Sequence, residues 1–406
     1  MLGDIKEVIY RNVYIVSIMI LFLIRPAYLS NSFDLLFQFG MYITCIIIVA
    51  LYLLTNKKKN KMLLFFSYFA AILFSTVYQN GNVVEFIRSQ LPILSACLLF
   101  YLWLDKSPET LLRAHAVIEI LTYINLATVI MFPNGLFQTN VYSRNWFLGY
   151  QNTLIRTILP GVCLSFIYSY KLHNKISLRT FLLLVAAFVT VIKVNSSTSI
   201  VGLTVFISLF LIVSKVNRKK VYHFINLFSG FIIVIAANIL IVVIQSNAKL
   251  ISYVVENILQ KDLTFTGRNI IWANSIELFL RHPIIGNGYL SEKDYQQFFD
   301  YVLATHPHNF ILYQLTMGGI LLFIIFCAII VLSSYNLKNS STIYSKIVLC
   351  TIISFMVMGI SESLVSTRLW WPMFVLAINI DKIDKCQFSQ VRRYVICVNG
   401  KRLLKI

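Results

Sequence analysis

Apolar runs long enough to reach across a bilayer recur along the whole chain, and that repetition constrains the fold more than any single motif. They can be drawn at about 8–24, 35–54, 62–79, 89–104, 112–132, 153–170, 178–194, 199–214, 222–244, 308–333, 343–361 and 367–380. Hydrocarbon offers no partner to a backbone N–H or C=O, so a spanning segment must be a helix or part of a closed barrel. Roughly 20 residues of helix cross the core, and nothing here alternates as a barrel strand does. The expected fold is all-α: a single polytopic integral membrane domain over 1–406, a helical bundle of about 12 transmembrane helices. The chain is 58% hydrophobic and only 13% charged, whereas a soluble chain carries roughly twice that charged share. The first run ends in Ile24-Arg25-Pro26 without a small-residue cleavage site, which predicts an uncleaved first span.

The formal net charge is +19. In a soluble protein that would suggest nucleic acid. In a membrane protein basic residues anchor cytoplasmic loops instead, so no nucleic-acid partner is expected. With the N-terminus inside, Lys57-Lys58-Lys59, Lys61 and Arg218-Lys219-Lys220 all fall on the cytoplasmic side; the inverted topology would put them outside. Both termini are therefore predicted to be cytoplasmic. Residues 245–307 become one large extracytoplasmic loop, and 381–406 a basic cytoplasmic tail along the anionic leaflet. Arginine prevails among the cations left outside (Arg25, Arg88, Arg144, Arg156, Arg268, Arg281 and Arg368), and lysine among those inside. Topology needs only charge, whereas the guanidinium fork suits a pair of anionic oxygens. No cysteine spacing suggests a disulfide framework or metal site, and no cofactor is expected.

Most polar chemistry is concentrated in the loop. After Thr266-Gly267-Arg268-Asn269, the apolar positions Trp272, Ile276, Phe279 and Leu280 oppose Asn274, Glu277 and Arg281, the spacing of an amphipathic helix. Thr266 is its expected N-cap and Pro283 its end. Such a helix can rest on the outer membrane surface. Arg268, at its start, can complete an anion site with the helix amides or reach a lipid phosphate, and the residues leave both open. Pro283-Ile284-Ile285-Gly286-Asn287-Gly288 reads as tight turns that fold the loop back. His306-Pro307-His308-Asn309 stands where the chain re-enters the membrane. His308 can act there as a general base or sit as a satisfied interfacial histidine; a metal reading of His-x-His lacks a third ligand. Glu362, between Ser361 and Ser363, can orient His308 or pair with Arg368. Glu119 can pair with His115 or Arg113, or face a polar cavity.

Taken in order, Thr266-Gly267-Arg268, Trp272, Pro283 to Gly288, His308-Asn309-Phe310-Ile311-Leu312 and Gly318-Gly319 resemble the O-antigen ligase/Wzy polymerase superfamily. That resemblance implies a metal-independent glycosyltransferase that uses a glycan on undecaprenyl pyrophosphate. It implies polymerisation of repeat units into capsular, exopolysaccharide or O-antigen polysaccharide at the outer face of the bacterial plasma membrane. The alternatives are ligase-type transfer to another acceptor, or a flippase or transporter of lipid-linked glycan. Implied partners are the lipid-linked oligosaccharides, the bilayer, and a chain-length regulator and flippase of the same pathway. The resemblance makes Arg268 (as pyrophosphate binder) and His308 (as activator of the acceptor) catalytic and sets Trp272 and Asn309 beside the substrate; Glu362 joins them as a substrate-binding candidate on its own position between Ser361 and Ser363. Many relatives carry a Ser-Arg pair where this chain has Asn195-Ser196-Ser197-Thr198-Ser199. Lys193, Arg156 and Arg144 are the candidates for the missing cation. The stretch Phe147-Leu148-Gly149-Tyr150-Gln151-Asn152 ahead of Arg156 also resembles the family and favours Arg156.

Overall fold

The computed structural model describes residues 2–55, 60–139, 142–215, 225–246, 268–300, 304–364, 366–388, 395–398 and 401–405. Lys57 to Lys59, Arg218 to Lys220, the expected cap Thr266-Gly267, most of the 245–267 half of the loop and much of the 381–406 tail lie outside the described residues. The protein is mostly helical, at 78%. In order the helices are α1 (Leu2–Arg11), α2 (Val13–Ile24), α3 (Ala27–Ser32), α4 (Asp34–Leu53), α5 (Leu63–Tyr78), α6 (Val83–Lys106), α7 (Pro108–Arg113), α8 (His115–Met131) and α9 (Ile155–His173). Then follow α10 (Leu178–Lys193), α11 (Ser197–Lys215), α12 (Leu227–Ser246), α13 (Arg268–Arg281), α14 (Glu292–Phe299), α15 (Phe310–Ser340), α16 (Ile343–Met358), α17 (Trp370–Ile378) and α18 (Ile380–Lys385). Between α8 and α9 a short antiparallel hairpin pairs β1 (Asn145–Trp146) with β2 (Gly149–Tyr150).

The apolar runs drawn from sequence fall on these helices. Among the described residues, five segments are long and apolar enough to cross a membrane: Asp34–Leu53, Val83–Lys106, Pro108–Met131, Ser197–Lys215 and Phe310–Ser340. Val13–Ile24, Leu63–Tyr78, Leu227–Ile241 and Ile343–Met358 are shorter apolar helices. Large apolar side chains such as Leu36, Ile46 and Ile233 are exposed on the protein itself, as a lipid-facing surface requires.

Three details differ from the sequence expectation. The first run is broken at Asn12, whose side chain accepts from the amides of Tyr14 and Ile15 and so starts α2 afresh. Trp370-Trp371-Pro372, a pair of residues of the type that favours a membrane interface followed by a proline, lies in the core. Trp371 packs 4.4 Å from the ring of Tyr68, Trp370 lies 4.7 Å from Phe374, and both tryptophans are fully buried. Pro372 sits in the first turn of α17, where its missing N–H costs little. The third is α13, whose buried face (Ile271, Trp272, Ser275, Leu278) packs mainly on α15, while Leu280 of the expected apolar face is exposed.

Pro283 to Gly288 does more than turn. The ladder of α15 breaks at Gly319, which adopts φ +63° and ψ −159°. The loop supplies the partners the break releases. Ile320 and Leu321 donate to the carbonyls of Pro283 and Ile284 at 2.8 and 3.1 Å, and Asn287 and Gly288 donate to Thr316 and Met317, both at 2.9 Å. Bare α-carbons are required at this crossing: a Cβ on Gly286 would stand 2.5 Å from the Gly318 nitrogen, and one on Gly319 2.4 Å from the Ile284 oxygen. Ser291 and Asp294 close a capping box on α14, and the Tyr295 hydroxyl meets Thr316 at 3.2 Å. The loop is thereby seated on α15.

The two ends of the bundle differ. At one, residues 378–386 are stitched to helix ends by Lys61–Asp381 at 3.2 Å, Lys382–Asp105 at 3.1 Å, and Lys171 donating to the Cys386 carbonyl at 2.9 Å. The other end gathers the start of α15, the end of α16, the start of α9 and the end of α2. There Phe310 donates its N–H to the Gly359 carbonyl at 2.9 Å, and Arg368 Nη1 donates to the Leu23 carbonyl at 2.8 Å.

Candidate active site

At that second end, Asn309 organises the entry to α15. Its side-chain oxygen accepts from the amides of Ile311 and Leu312, and its amide group donates to the Ile360 carbonyl at 3.1 Å and to Asn238 at 3.2 Å. All the polar capacity of Asn309 is thus spent inside the protein, and the side chain is fully buried. Bracing Ile360 presents Glu362 two residues on.

Glu362, 4% exposed, is where three distant segments converge. Its Oε1 accepts from Arg268 Nη2 at 3.1 Å and from Asn152 Nδ2 at 2.8 Å; its Oε2 lies 3.6 Å from Arg156 Nη2. Asn152 is held in turn: its Oδ1 accepts from the Ser196 hydroxyl at 2.8 Å, and Ser196 shares a 2.7 Å hydrogen bond with Ser199. The serine-rich stretch that replaces the expected Ser-Arg pair therefore forms the wall behind Asn152. Two guanidiniums, each more than four-fifths buried, share one carboxylate. The Nε of Arg156 is buried without a partner among the described residues. Chemically this is a seat for an anion with several oxygens.

His308 occupies the left-handed backbone region (φ 48°), a strained choice for a non-glycine residue. Its backbone N–H donates to His306 Nδ1 at 3.1 Å, and the two rings lie 4.0 Å apart. Burial, with the nearby charges of Arg268 and then Arg156, pushes His308 down to about 3. His306 is pushed well below its ordinary value, first by burial and then by His308 and the same two arginines. His308 Nδ1 is buried with no partner among the described residues. A neutral imidazole with one unengaged ring nitrogen beside two arginines is thus in place. Tyr142 and Tyr150 stack at 4.0 Å, and their hydroxyls lie within the fields of Arg156, Glu362 and Arg268.

Of the residues picked from sequence, the structure brings Arg268, Arg156, Glu362 and His308 together. Asn309 and Trp272 are buried in supporting positions, Trp272 in the face that α13 lays on α15. Arg144 and Lys193 are exposed and stand in no ion pair among the described residues. Glu362 pairs with Arg156 and Arg268 rather than Arg368. Glu119 is gripped by Arg179, through Nε at 2.8–2.9 Å and Nη2 at 2.7 Å, while Arg113 pairs with Glu109. Asn152, Ser196, His306 and Tyr142 are not among the site residues expected from sequence; Asn152 ends the stretch ahead of Arg156, Ser196 lies in the serine-rich stretch and His306 opens the histidine motif, whereas Tyr142 carries no such signal. Among the described residues no group of three His, Cys, Asp or Glu gathers that could hold a metal ion.

Fold and site together define a multi-pass helical membrane protein with an arginine- and histidine-lined anion seat at one end of its bundle. The family model described as O-antigen ligase matches residues 182–327, from within α10 to within α15. That segment contains Arg268, Trp272, His308 and Asn309, and the match places it in the O-antigen ligase/Wzy superfamily. No curated protein and no solved structure matches the chain. Members of that family are membrane glycosyltransferase-like ligases and polymerases.

Proposed function

We propose that this protein polymerises undecaprenyl-pyrophosphate-linked oligosaccharide repeat units at the outer face of a bacterial plasma membrane. In this reading about twelve spans place both termini in the cytoplasm and the site outside. The observation that carries it is the shared carboxylate: Glu362 holds Arg156 and Arg268 within 3.6 Å of one anionic group. A diphosphate offers the same pair of arginines more oxygens and more charge.

The donor glycan is seated with its diphosphate between Arg156 and Arg268, displacing Glu362. A hydroxyl oxygen of the second repeat unit attacks the donor's anomeric carbon. The bond from that carbon to the diphosphate oxygen breaks, and its electron pair leaves with the diphosphate. His308 takes the hydroxyl proton. Diphosphate is already a good leaving group, so the protein supplies position and charge neutralisation rather than covalent chemistry. Burial holds His308 down first and the two arginine charges add to it; as the arriving diphosphate cancels those charges, its basicity rises when it is needed.

A second reading, transfer of finished glycan to a different acceptor, is favoured by the ligase description of the matching family. Deleting the gene and displaying surface glycan on a gel separates the two. Single repeat units accumulating on the carrier support polymerisation, and full-length polymer left on the carrier supports ligation. Complementation with Arg268→Ala or His308→Ala is expected to cut polymer formation about 100-fold. Normal polymer from a well-expressed variant would exclude the assigned roles.

A further inference from the structure

A second pair of arginines lies at the same end of the bundle. Arg25 closes α2 in the left-handed region (φ 52°), where glycine or asparagine ordinarily serves. Keeping a long cationic side chain there has a conformational cost. Arg368 Nη1 donates to the carbonyl of Leu23, two residues before Arg25, so its guanidinium reaches the helix end that Arg25 closes. The charge of Arg25 is felt at Arg368. Arg25 pairs with Asp34, whose side chain is 59% exposed, and a pair that open to water holds charge weakly. The Nε of Arg25 is buried with no partner, and Arg368 has no carboxylate partner among the described residues. The corner is therefore short of negative charge, and phosphate oxygens suit guanidinium forks.

Its position matters. Beyond Arg25, Tyr28 donates its N–H to the Phe147 carbonyl at 3.1 Å, and a Cβ added to Gly149 would lie 3.5 Å from that of Ala27. The same β1–β2 hairpin ends in Tyr150, which lies in the fields of Glu362 and Arg268. The two arginine pairs thus flank one hairpin.

We infer that Arg25 and Arg368 form a second phosphate-binding site, which holds the diphosphate of the acceptor while Arg156 and Arg268 hold that of the donor. This rests on the polymerase reading: joining two carrier-linked glycans brings two diphosphates together, and one arginine pair cannot neutralise both. A phosphate at this corner could also belong to an anionic lipid headgroup.

Farnesyl diphosphate titrated into the full-length protein in phosphatidylcholine nanodiscs separates these cases. The expected result is two sites per chain, one abolished by Arg268→Gln and the other by Arg25→Gln or Arg368→Gln, each weakened about 10-fold or more. Arg25→Gln leaves the Arg368–Leu23 contact intact and keeps the test decisive where Arg368→Gln does not fold. One site per chain, insensitive to Arg25→Gln and Arg368→Gln, would overturn the inference and leave the donor site standing. One site per chain, insensitive to Arg268→Gln and lost in Arg25→Gln, would overturn the donor assignment instead. Nanodiscs containing phosphatidylglycerol provide the last arm. Competition of about 10-fold or more at the Arg25-dependent site would make the headgroup its occupant and refute the acceptor role.

Discussion

Replacing Glu362 with glutamine removes the charge from the centre of the site while nearly preserving its shape. With nitrogen–oxygen distances of 3.1 and 3.6 Å, each ion pair is worth on the order of 5 kcal/mol at an effective dielectric of about 20. Desolvating a carboxylate that is 4% exposed offsets much of that, and deleting one partner of such a buried cluster typically costs about 3–5 kcal/mol. Glu362→Gln should therefore destabilise the ligand-free protein by about that amount. It should also bind diphosphate at least about 10-fold more tightly, because no carboxylate has to be displaced first. Both quantities come from one experiment: unfolding in nanodiscs across a range of farnesyl diphosphate concentrations, where ligand stabilisation follows from mass action. A variant as stable as the parent, with unchanged affinity, would mean that Glu362 does not balance the two arginines. Loss of stability with weaker binding would mean that it only organises them.

Four further outcomes follow. Because His308 titrates at about 3 in the free protein, the pH profile of kcat/KM should show no His308 limb between about pH 5 and 7.5, whereas the limb in kcat should lie higher, since it reports the diphosphate complex; an ordinary limb near pH 6.5 in kcat/KM that His308→Gln removes would contradict this. Its depressed value also means that the stability His308 contributes is present above about pH 6.5 and is lost as pH falls towards 3, measurable by unfolding at stepped pH. Gly319→Ala forces a Cβ to 2.4 Å from the Ile284 oxygen at a positive φ, and should destabilise the protein by more than about 1–3 kcal/mol and loosen the loop, read as faster hydrogen exchange at Ile320 and Leu321. Asn309→Ala should lower stability by about 1–3 kcal/mol through the lost cap and the orphaned Ile360 carbonyl, with KM for the lipid-linked donor changing less than kcat per folded molecule.

The helices were legible because hydropathy is a local property and a bilayer imposes one solution on it. What escaped depends on partners far along the chain. Nothing local to Gly318-Gly319 says that α15 breaks there, because the break is stable only once Pro283 to Gly288 fills it. Trp370-Trp371 reads as an interfacial pair until Tyr68, Phe355 and Phe374 enclose it. Arg268, His308 and Arg156 could be named from motif and residue type. That Glu362 would bridge the arginines could not, since Arg268 alone is 94 positions away, and Arg368 was an equally sensible partner by proximity in sequence. Ser196 and Asn152 carry no charge to attract notice, yet they hold the carboxylate in place.

The central claim is that this protein joins one carrier-linked glycan to another. Reconstituting the purified chain in liposomes with lipid-linked repeat units from its host, and no other acceptor, tests it most directly. A ladder of lengthening glycans on the carrier, with one undecaprenyl diphosphate released per linkage and both lost in Arg268→Ala, is the predicted result. Repeat units that stay single until a different acceptor is supplied would contradict it.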